Sequence, residues 1–154
     1  MESPERLMDE QKEAPKELVV WVVDDWEVET TAQYIQMQFN GRVKVVPFKT
    51  GESALEEIKK EGATLPDLII VDGELDADEE ELRMGDEVVK RLVGSGRLKP
   101  LCGIIPFSTK REINQKIYEA GGARVVSGFL EAKNTTPVIS YIERLLSTKS
   151  KRHE

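Results

Sequence analysis

The stretch that decides the fold is Pro66–Asp72, with the sequence PDLIIVD. Its apolar part, Leu68–Val71, has strand length and no polar alternation, so it predicts a strand covered on both faces, as in a parallel sheet. Asp72 follows directly and would lie at the carboxyl edge of that sheet, where open α/β folds place their ligands. The function therefore depends on which other side chains reach this edge.

Further apolar runs repeat the arrangement along the chain, and each of them is followed by a helical pattern. The predicted strands are residues 18–23, 42–48, 68–72, 101–107 and 123–130. Strict alternation of strands and helices implies a parallel sheet with helices on both faces and right-handed crossovers. Five such units predict an α/β, flavodoxin-like doubly wound fold with five strands in the order 2-1-3-4-5 and five helices. The pair Thr136-Pro137 predicts the start of the last helix.

Composition limits the classes of function. The 22 basic and 29 acidic residues give a net charge of −7, which argues against binding to nucleic acid or to an anionic membrane. No apolar stretch approaches the roughly 18 residues of a membrane span, and the first residues lack a signal-peptide profile. The single cysteine, Cys102, cannot form an internal disulfide and lies in an apolar run, so we expect a buried thiol and a cytoplasmic location.

The chain is long enough for one domain with a full core. Residues 1–17 are polar and predict a flexible N-terminal arm, residues 18–147 predict the folded domain, and residues 148–154 predict a C-terminal tail. The only histidine, His153, lies in that tail, so histidine catalysis is not expected.

Three acids are predicted to converge. Asp24 and Asp25 end the first strand and Asp72 ends the third, and these two strands flank the switch point of the predicted sheet. Three neighbouring carboxylates repel one another unless they are protonated or hold a cation. Their oxygen ligands suit Mg²⁺, so the sequence predicts a magnesium site here.

A carboxylate beside such an ion can act as a nucleophile and form an aspartyl phosphate. Ser108, at the end of the fourth strand, is placed to donate a hydroxyl to the phosphoryl group, although it could equally cap the fourth helix. Lys133, just past the fifth strand, is the nearest candidate cation. The acidic loop 76–81 predicts a solvated charge run, with a role in recruiting a partner or metal as the lesser alternative.

From about Leu18 to Leu146 the chain resembles the receiver domain of two-component response regulators. Five motifs carry the resemblance: VVDD at 22–25, GESAL at 51–55, PDLIIVD at 66–72, MGDEVV at 84–89 and IIPFST at 104–109. Any one of them is weak alone, but together they are specific. Nothing after Leu146 resembles an output domain, so a stand-alone receiver is expected.

The resemblance implies roles for these residues. Asp72 would accept a phosphoryl group from a histidine kinase or phosphotransfer protein. Asp25 would bind Mg²⁺ directly, Asp24 would assist, and Asp72 with the backbone carbonyl of Glu74 would complete the protein ligands. Ser108 would contact the phosphoryl group and move the loop after the fourth strand. The output would be a protein-binding surface of helix 4, strand 5 and helix 5, and no enzymatic activity beyond self-catalysed phosphorylation and dephosphorylation is expected.

The chain departs from the family pattern at two places, the loop after Asp72 and the position of the site lysine. The loop after Asp72 is longer than usual, lacks the common proline and carries the acids. Phe129 is the candidate for the aromatic switch position and Lys133, one residue late, for the family's site lysine. A shifted register would leave no lysine in the site.

Two other functions remain open from the sequence. The first is a pseudo-receiver, a phosphorylation-independent protein-interaction module with the same fold. The second is an Mg²⁺-dependent phosphohydrolase with an aspartate nucleophile, since Asp72-Gly73-Glu74 resembles the Asp-x-Asp motif of haloacid dehalogenases, with Glu in place of the second Asp.

Overall fold

A computed structural model describes residues 18–26, 28–130 and 133–152 of the chain. In these ranges the buried apolar runs form a four-stranded parallel sheet in the order β2-β1-β3-β4. The strands are β1 (Leu18–Val23), β2 (Val43–Phe48), β3 (Leu68–Val71) and β4 (Gly103–Pro106). The predicted arm, residues 1–17, lies outside the described residues.

Five α-helices of the described chain cover the two faces of the sheet. They are α1 (Val28–Gln38), α2 (Gly51–Lys59), α3 (Gly85–Gly94), α4 (Arg111–Gly121) and α5 (Thr135–Arg152). Trp21 of β1 packs in the apolar cluster with α2, α3 and α4, which also buries the free thiol of Cys102. Its neighbour Val22 packs in the cluster with α1 and α5. The predicted flavodoxin-like α/β fold is therefore confirmed, and burial on both faces explains the unbroken apolar strands.

The register brings the ends of β1, β3 and β4 to one edge of the sheet. Val71 of β3 lies opposite Val23 of β1 on one side and opposite Pro106 of β4 on the other. The backbone N–H of Asp72 donates to the carbonyl of Val23 at 2.9 Å, so the ladder reaches the first residue beyond β3. Residues that follow these strands consequently share a common edge.

The predicted fifth strand, residues 123–130, is reduced to a single bridge. In the described chain this segment pairs with β4 only where Val125 lies opposite Ile104. Gly128 then adopts a φ of +96°, which ends the extended conformation, and Phe129 is buried in the cluster with α1 and α5. The segment occupies the fifth position beside β4, but its apolar residues reflect burial rather than a regular strand.

The acidic loop between β3 and α3 is attached to the domain at several points. Its apolar residues Leu75 and Leu82 are buried in the cluster with α2 and α3. Its acidic side chains stay at the surface, where Arg91 of α3 forms ion pairs with Glu79 at 3.1 Å and with Glu81 at 2.9 Å. The charge run is thus solvated, as predicted, whereas the loop is anchored in the core by the two leucines that flank the run.

Helix α5 begins and ends differently from the prediction. Asn134, not Thr136, provides the capping oxygen, because Asn134 Oδ1 accepts the N–H of Thr136 at 3.1 Å. The helix continues to Arg152, so residues 148–152 of the predicted tail are helical. Although α5 is the longest helix described, neither it nor any other described helix has the length and apolar character needed to cross a membrane.

Candidate functional site

Three carboxylates meet at the carboxyl edge of the sheet. One oxygen from each of Asp24, Asp25 and Asp72 lies within 4.8 Å of the others. The strand order predicts this convergence, because β1 and β3 are adjacent and end at the same level. Asp24 is only 1% exposed, whereas Asp25 and Asp72 are partly open to solvent. Like charges at this separation repel one another, so the cluster needs a compensating cation or proton.

Lys133 brings a cation to this edge from the segment before α5. Its Nζ lies 2.7 Å from Asp24 Oδ2 and 3.4 Å from Asp72 Oδ2. It also lies 5.2 Å from the ring centroid of Phe107, just past β4. Burial lowers the pKa of Lys133, but the contacts with the two aspartates outweigh it, and the net pKa is raised. The structure therefore places a lysine in the crevice, and the register that would leave the crevice without one does not occur.

Asp72 and Asp25 hold protons more readily than free carboxyl groups do. Burial raises the pKa of Asp72 to about 6; Lys133 opposes this change and Asp24 adds to it. The pKa of Asp25 is also raised, first by burial and then by the charges of Asp76 and Asp24. Because deprotonation is costly here, the cluster favours a bound cation. All-oxygen donors that are partly open to water fit Mg²⁺ in particular.

Two glycines allow the backbone around Asp72 to pack closely. A Cβ atom on Gly85 would overlap the carbonyl oxygen of Asp72, and one on Gly73 would overlap the side chain of Ile113. The N–H of Gly85 donates to the carbonyl of Gly73 at 2.9 Å, which joins the start of α3 to the end of β3. The sequence marks Gly85 as a helix start, but it does not reveal this close approach.

Ser108 lies at the same edge, two residues beyond β4. It is 3% exposed, and its Cβ lies 3.2 Å from the point where a Cβ on Gly73 would stand, beside the residue that follows Asp72. Its Oγ accepts the backbone N–H of Lys110 at 3.1 Å, at the start of α4. This bond lies in the turn before α4, whose N-cap is Lys110 and carries no side-chain cap hydrogen bond, so the alternative prediction that Ser108 caps the helix is wrong. Its contact with a phosphoryl group stays a prediction.

Asn114 of α4 is fully buried and was not among the predicted site residues. Its Oδ1 accepts the N–H of Ser108 at 2.9 Å. Its Nδ2 donates to the carbonyl of Ser108 at 2.8 Å and to the carbonyl of Leu130 at 3.1 Å. The only signal in the sequence is a polar residue beside Ile113 and one turn before Ile117, on the apolar side of the helix.

The remaining predicted residues lie around this cluster. The Glu74 side chain forms an ion pair with Lys110 at 2.6 Å, and its backbone N–H lies 3.4 Å from Asp72 Oδ1. Phe129 is buried and packs edge-on against Tyr141, with ring centroids 6.4 Å apart. The roles of the Glu74 carbonyl as a metal ligand and of Phe129 as an aromatic switch stay predictions.

Comparison with solved structures agrees with the fold. The chain is similar to a CheY-like response regulator receiver domain protein from Methanospirillum hungatei, with a TM-score of 0.62 and 18% identity over 88% of this chain and 98% of that one. It is also similar to the Francisella response regulator 1452 receiver domain, with a TM-score of 0.56 and 18% identity over 89% and 99% of the two chains.

A third similar structure is the phosphorylated cyanobacterial phytochrome response regulator RcpA, with a TM-score of 0.59 and 19% identity over 84% of this chain and 88% of that one. Neither the protein-family models nor the curated proteins that were searched give a match. At these identities the likeness concerns the fold. The chain therefore has the fold of response regulator receiver domains, with an acidic cluster at the carboxyl edge of its sheet.

Proposed function

We propose that the protein is a phosphoacceptor signalling protein, and that a histidine kinase or phosphotransfer protein transfers a phosphoryl group to Asp72 in the presence of Mg²⁺. The observation that carries the proposal is the group at the sheet edge: Asp72 beside Asp24 and Asp25, with Lys133 contacting two of the three. The receiver fold supports it, and so does the similarity to RcpA, whose structure is that of a phosphorylated response regulator.

In this reaction a carboxylate oxygen of Asp72 attacks phosphorus, an O–P bond forms, and the N–P bond of the donor's phosphohistidine breaks. The bond pair stays on the leaving imidazole, which is then neutral or takes up a proton from water. Asp24, Asp25, Asp72 and the Glu74 carbonyl would hold Mg²⁺, which supplies charge neutralisation for the phosphoryl oxygens. Lys133 and Ser108 would bind the remaining oxygens as a point charge and a hydroxyl donor.

The phosphoryl group adds roughly two negative charges next to Ser108 and Lys133. It would favour the conformation in which both groups turn toward Asp72. The conformational equilibrium of the loops that carry them would shift accordingly. The affected protein-binding surface would consist of α4, the segment 125–130 and α5. Its target would be a downstream protein, and we expect it to bind neither nucleic acid nor a membrane. We place the protein in the cytoplasm and assign it no catalytic activity beyond self-catalysed phosphorylation and dephosphorylation.

Incubation with acetyl phosphate and Mg²⁺ followed by intact-mass measurement tests the proposal. Wild-type protein should gain the mass of one phosphoryl group, and Asp72→Asn should gain none. The matched control is Asp78→Asn, which removes a carboxyl group from the acidic loop outside the three-acid cluster and should leave labelling unchanged. Equal labelling of Asp72→Asn, or no labelling of wild type, would contradict the proposal.

The pseudo-receiver is the second candidate, and one observation favours it. The single positive charge of Lys133 already offsets part of the negative charge of Asp24 and Asp72, so part of the compensation that Mg²⁺ would supply is present without the ion. A titration of Trp26 fluorescence with Mg²⁺ separates the two functions, because Trp26 is 72% exposed and its backbone N–H donates to Asp24 Oδ1 at 2.9 Å. A flat titration that Asp25→Ala does not change would support the pseudo-receiver.

The phosphohydrolase alternative has less support. The side chain of Glu74, which stands where that motif has its second acid, pairs with Lys110 at 2.6 Å. Turnover of a generic phosphate ester that is lost in Asp72→Asn would nevertheless revive this function. The expected result is phosphorylation by acetyl phosphate without turnover of the phosphate ester.

A further inference from the structure

We propose that Asn114 is a positioning residue that ties the Ser108 hydroxyl to the Lys133 ammonium, so that the two groups act on a phosphoryl group as one unit. The inference rests on the proposed function, which supplies the phosphoryl group. Asn114 itself touches neither Asp72 nor the acids in the described contacts; it would act through the two segments that it joins.

The Asn114 amide holds both backbone groups of Ser108. The N–H of Ser108 donates to Oδ1 at 2.9 Å, and its carbonyl accepts from Nδ2 at 2.8 Å. Asn114 is fully buried, so water cannot replace either bond, and loss of one would leave a buried polar group without a partner. The orientation of Ser108 is therefore set by α4, which Ile113 and Ile117 anchor in the core.

The same amide reaches the segment that carries the lysine. The second proton of Nδ2 is donated to the carbonyl of Leu130 at 3.1 Å, three residues before Lys133. Lys133 then extends to Asp24 and Asp72. An amide is required at this point, since a carboxylate has no proton to donate to the two carbonyls and an aliphatic residue has neither donor nor acceptor. A movement of Ser108 toward a phosphoryl group would thus be passed to the Lys133 segment through one side chain.

The first test is a double-mutant cycle on the rate of phosphorylation by acetyl phosphate with Mg²⁺. Asn114→Asp has the same size but lacks both donors, and we expect a rate about tenfold below wild type. Because Asn114 acts partly through Lys133, the effect of Asn114→Asp in the Lys133→Ala background should be clearly smaller than its effect of about tenfold in the wild-type background. Ile58→Ala, which is buried in α2 and has no side-chain bond to either segment, controls for lost stability. It should keep the wild-type rate, and the double variant Ile58→Ala/Lys133→Ala should be as slow as Lys133→Ala.

The second test needs no phosphorylation. In NMR spectra of protein labelled with ¹³C-lysine, the Lys133 signal, assigned with Lys133→Arg, should shift in Asn114→Asp and stay in place in Ile58→Ala. If Asn114→Asp does not fold, Asn114→Gln moves the amide by one methylene and should shift the same signal and slow the reaction.

Each outcome decides a separate question. An unmoved Lys133 signal, or rate effects of Asn114→Asp and Lys133→Ala that simply multiply, would overturn the role of Asn114 while leaving phosphorylation intact. If wild-type protein gains no phosphoryl group, the proposed function fails, and the Lys133 signal then decides alone whether Asn114 positions the lysine.

Discussion

The two halves of the site are built by different means. On one side, Asp24 and Asp72 follow directly after buried strands whose backbone ladder continues into them. On the other side, Ser108 lies beyond the end of β4, and Lys133 follows a segment that pairs with the sheet at a single bridge. The acids are therefore placed by strand register, whereas the hydroxyl and the lysine are placed by side-chain contacts. The carboxylate half should resist perturbation, and the lysine half should depend on a few groups.

The largest expected effect comes from the contact between the halves. Lys133→Ala leaves the buried Asp24 carboxylate and Asp72 without their cation, and removing one partner of a buried pair is costly. Since the Lys133 side chain is 24% exposed, we expect a loss of about 3 kcal/mol, at the low end for such pairs. Urea unfolding without divalent cations measures it. Addition of Mg²⁺ should reduce the difference in free energy of unfolding between Lys133→Ala and wild type. If Mg²⁺ leaves this difference unchanged, the acids do not share a cation.

Gly85→Ala tests how tightly the carboxylate half is packed. The new Cβ would overlap the backbone oxygen of Asp72, which cannot rotate away, so we expect a loss of about 2 kcal/mol. Gly94→Ala, at the other end of α3, is the control, because a Cβ there meets no atom within 4 Å. It should be neutral or stabilising, as alanine favours a helix. Equal stability of the two variants in thermal unfolding would show that the edge at Asp72 is looser than described.

Asp72→Asn should stabilise the protein, with a pH dependence that identifies the cause. Burial raises the pKa of Asp72 from 3.8 to about 6, so the folded protein binds the proton more tightly than the unfolded chain. Stability is consequently lost as pH rises from about 4 to about 6, and the full penalty applies above that range. The shift already includes the contact with Lys133 and corresponds to about 3 kcal/mol. Because Asp72 is partly open to solvent, which screens its charge, we expect a net gain of about 1–2 kcal/mol at pH 7.

Unfolding of both proteins at pH 4, 5 and 7 without Mg²⁺ provides the measurement. The increase in free energy of unfolding that Asp72→Asn causes should be small at pH 4 and should reach its full size at pH 7. An increase that is the same at all three values would exclude the Asp72 carboxylate as its source.

The smallest effect is expected for Lys110→Ala. The ion pair of Lys110 with Glu74 is short, at 2.6 Å, but both side chains are more than half exposed, and exposed pairs contribute little. We expect no measurable change in unfolding midpoint, in contrast to Lys133→Ala. A clear loss of stability would mean that the loop side of the site depends on surface charge as well as on buried contacts.

The fold and the acids were predictable from the sequence because their signals are local. Leu68–Val71 is apolar without alternation, and Asp72 follows it directly, so burial and the strand end can be read from seven residues. The fifth strand was not predictable in the same way, since the positive φ of Gly128 interrupts a segment whose apolar content looks like that of a strand. Asn114 gave little signal, because a polar residue on an apolar helix face does not reveal its partners.

Sequence alone was sufficient for the order 2-1-3-4 of the first four strands and for the three acids at one edge, because unbroken apolar runs that alternate with helical patterns indicate a doubly wound parallel sheet. The contact of Lys133 with those acids could be established only from the tertiary structure. Lys133 and Asp24 are 109 positions apart, and only the folded chain brings them to the same edge of the sheet. Register along a strand is a short-range property, whereas the position of Lys133 depends on contacts with residues distant in the chain, Asp24 and Asp72.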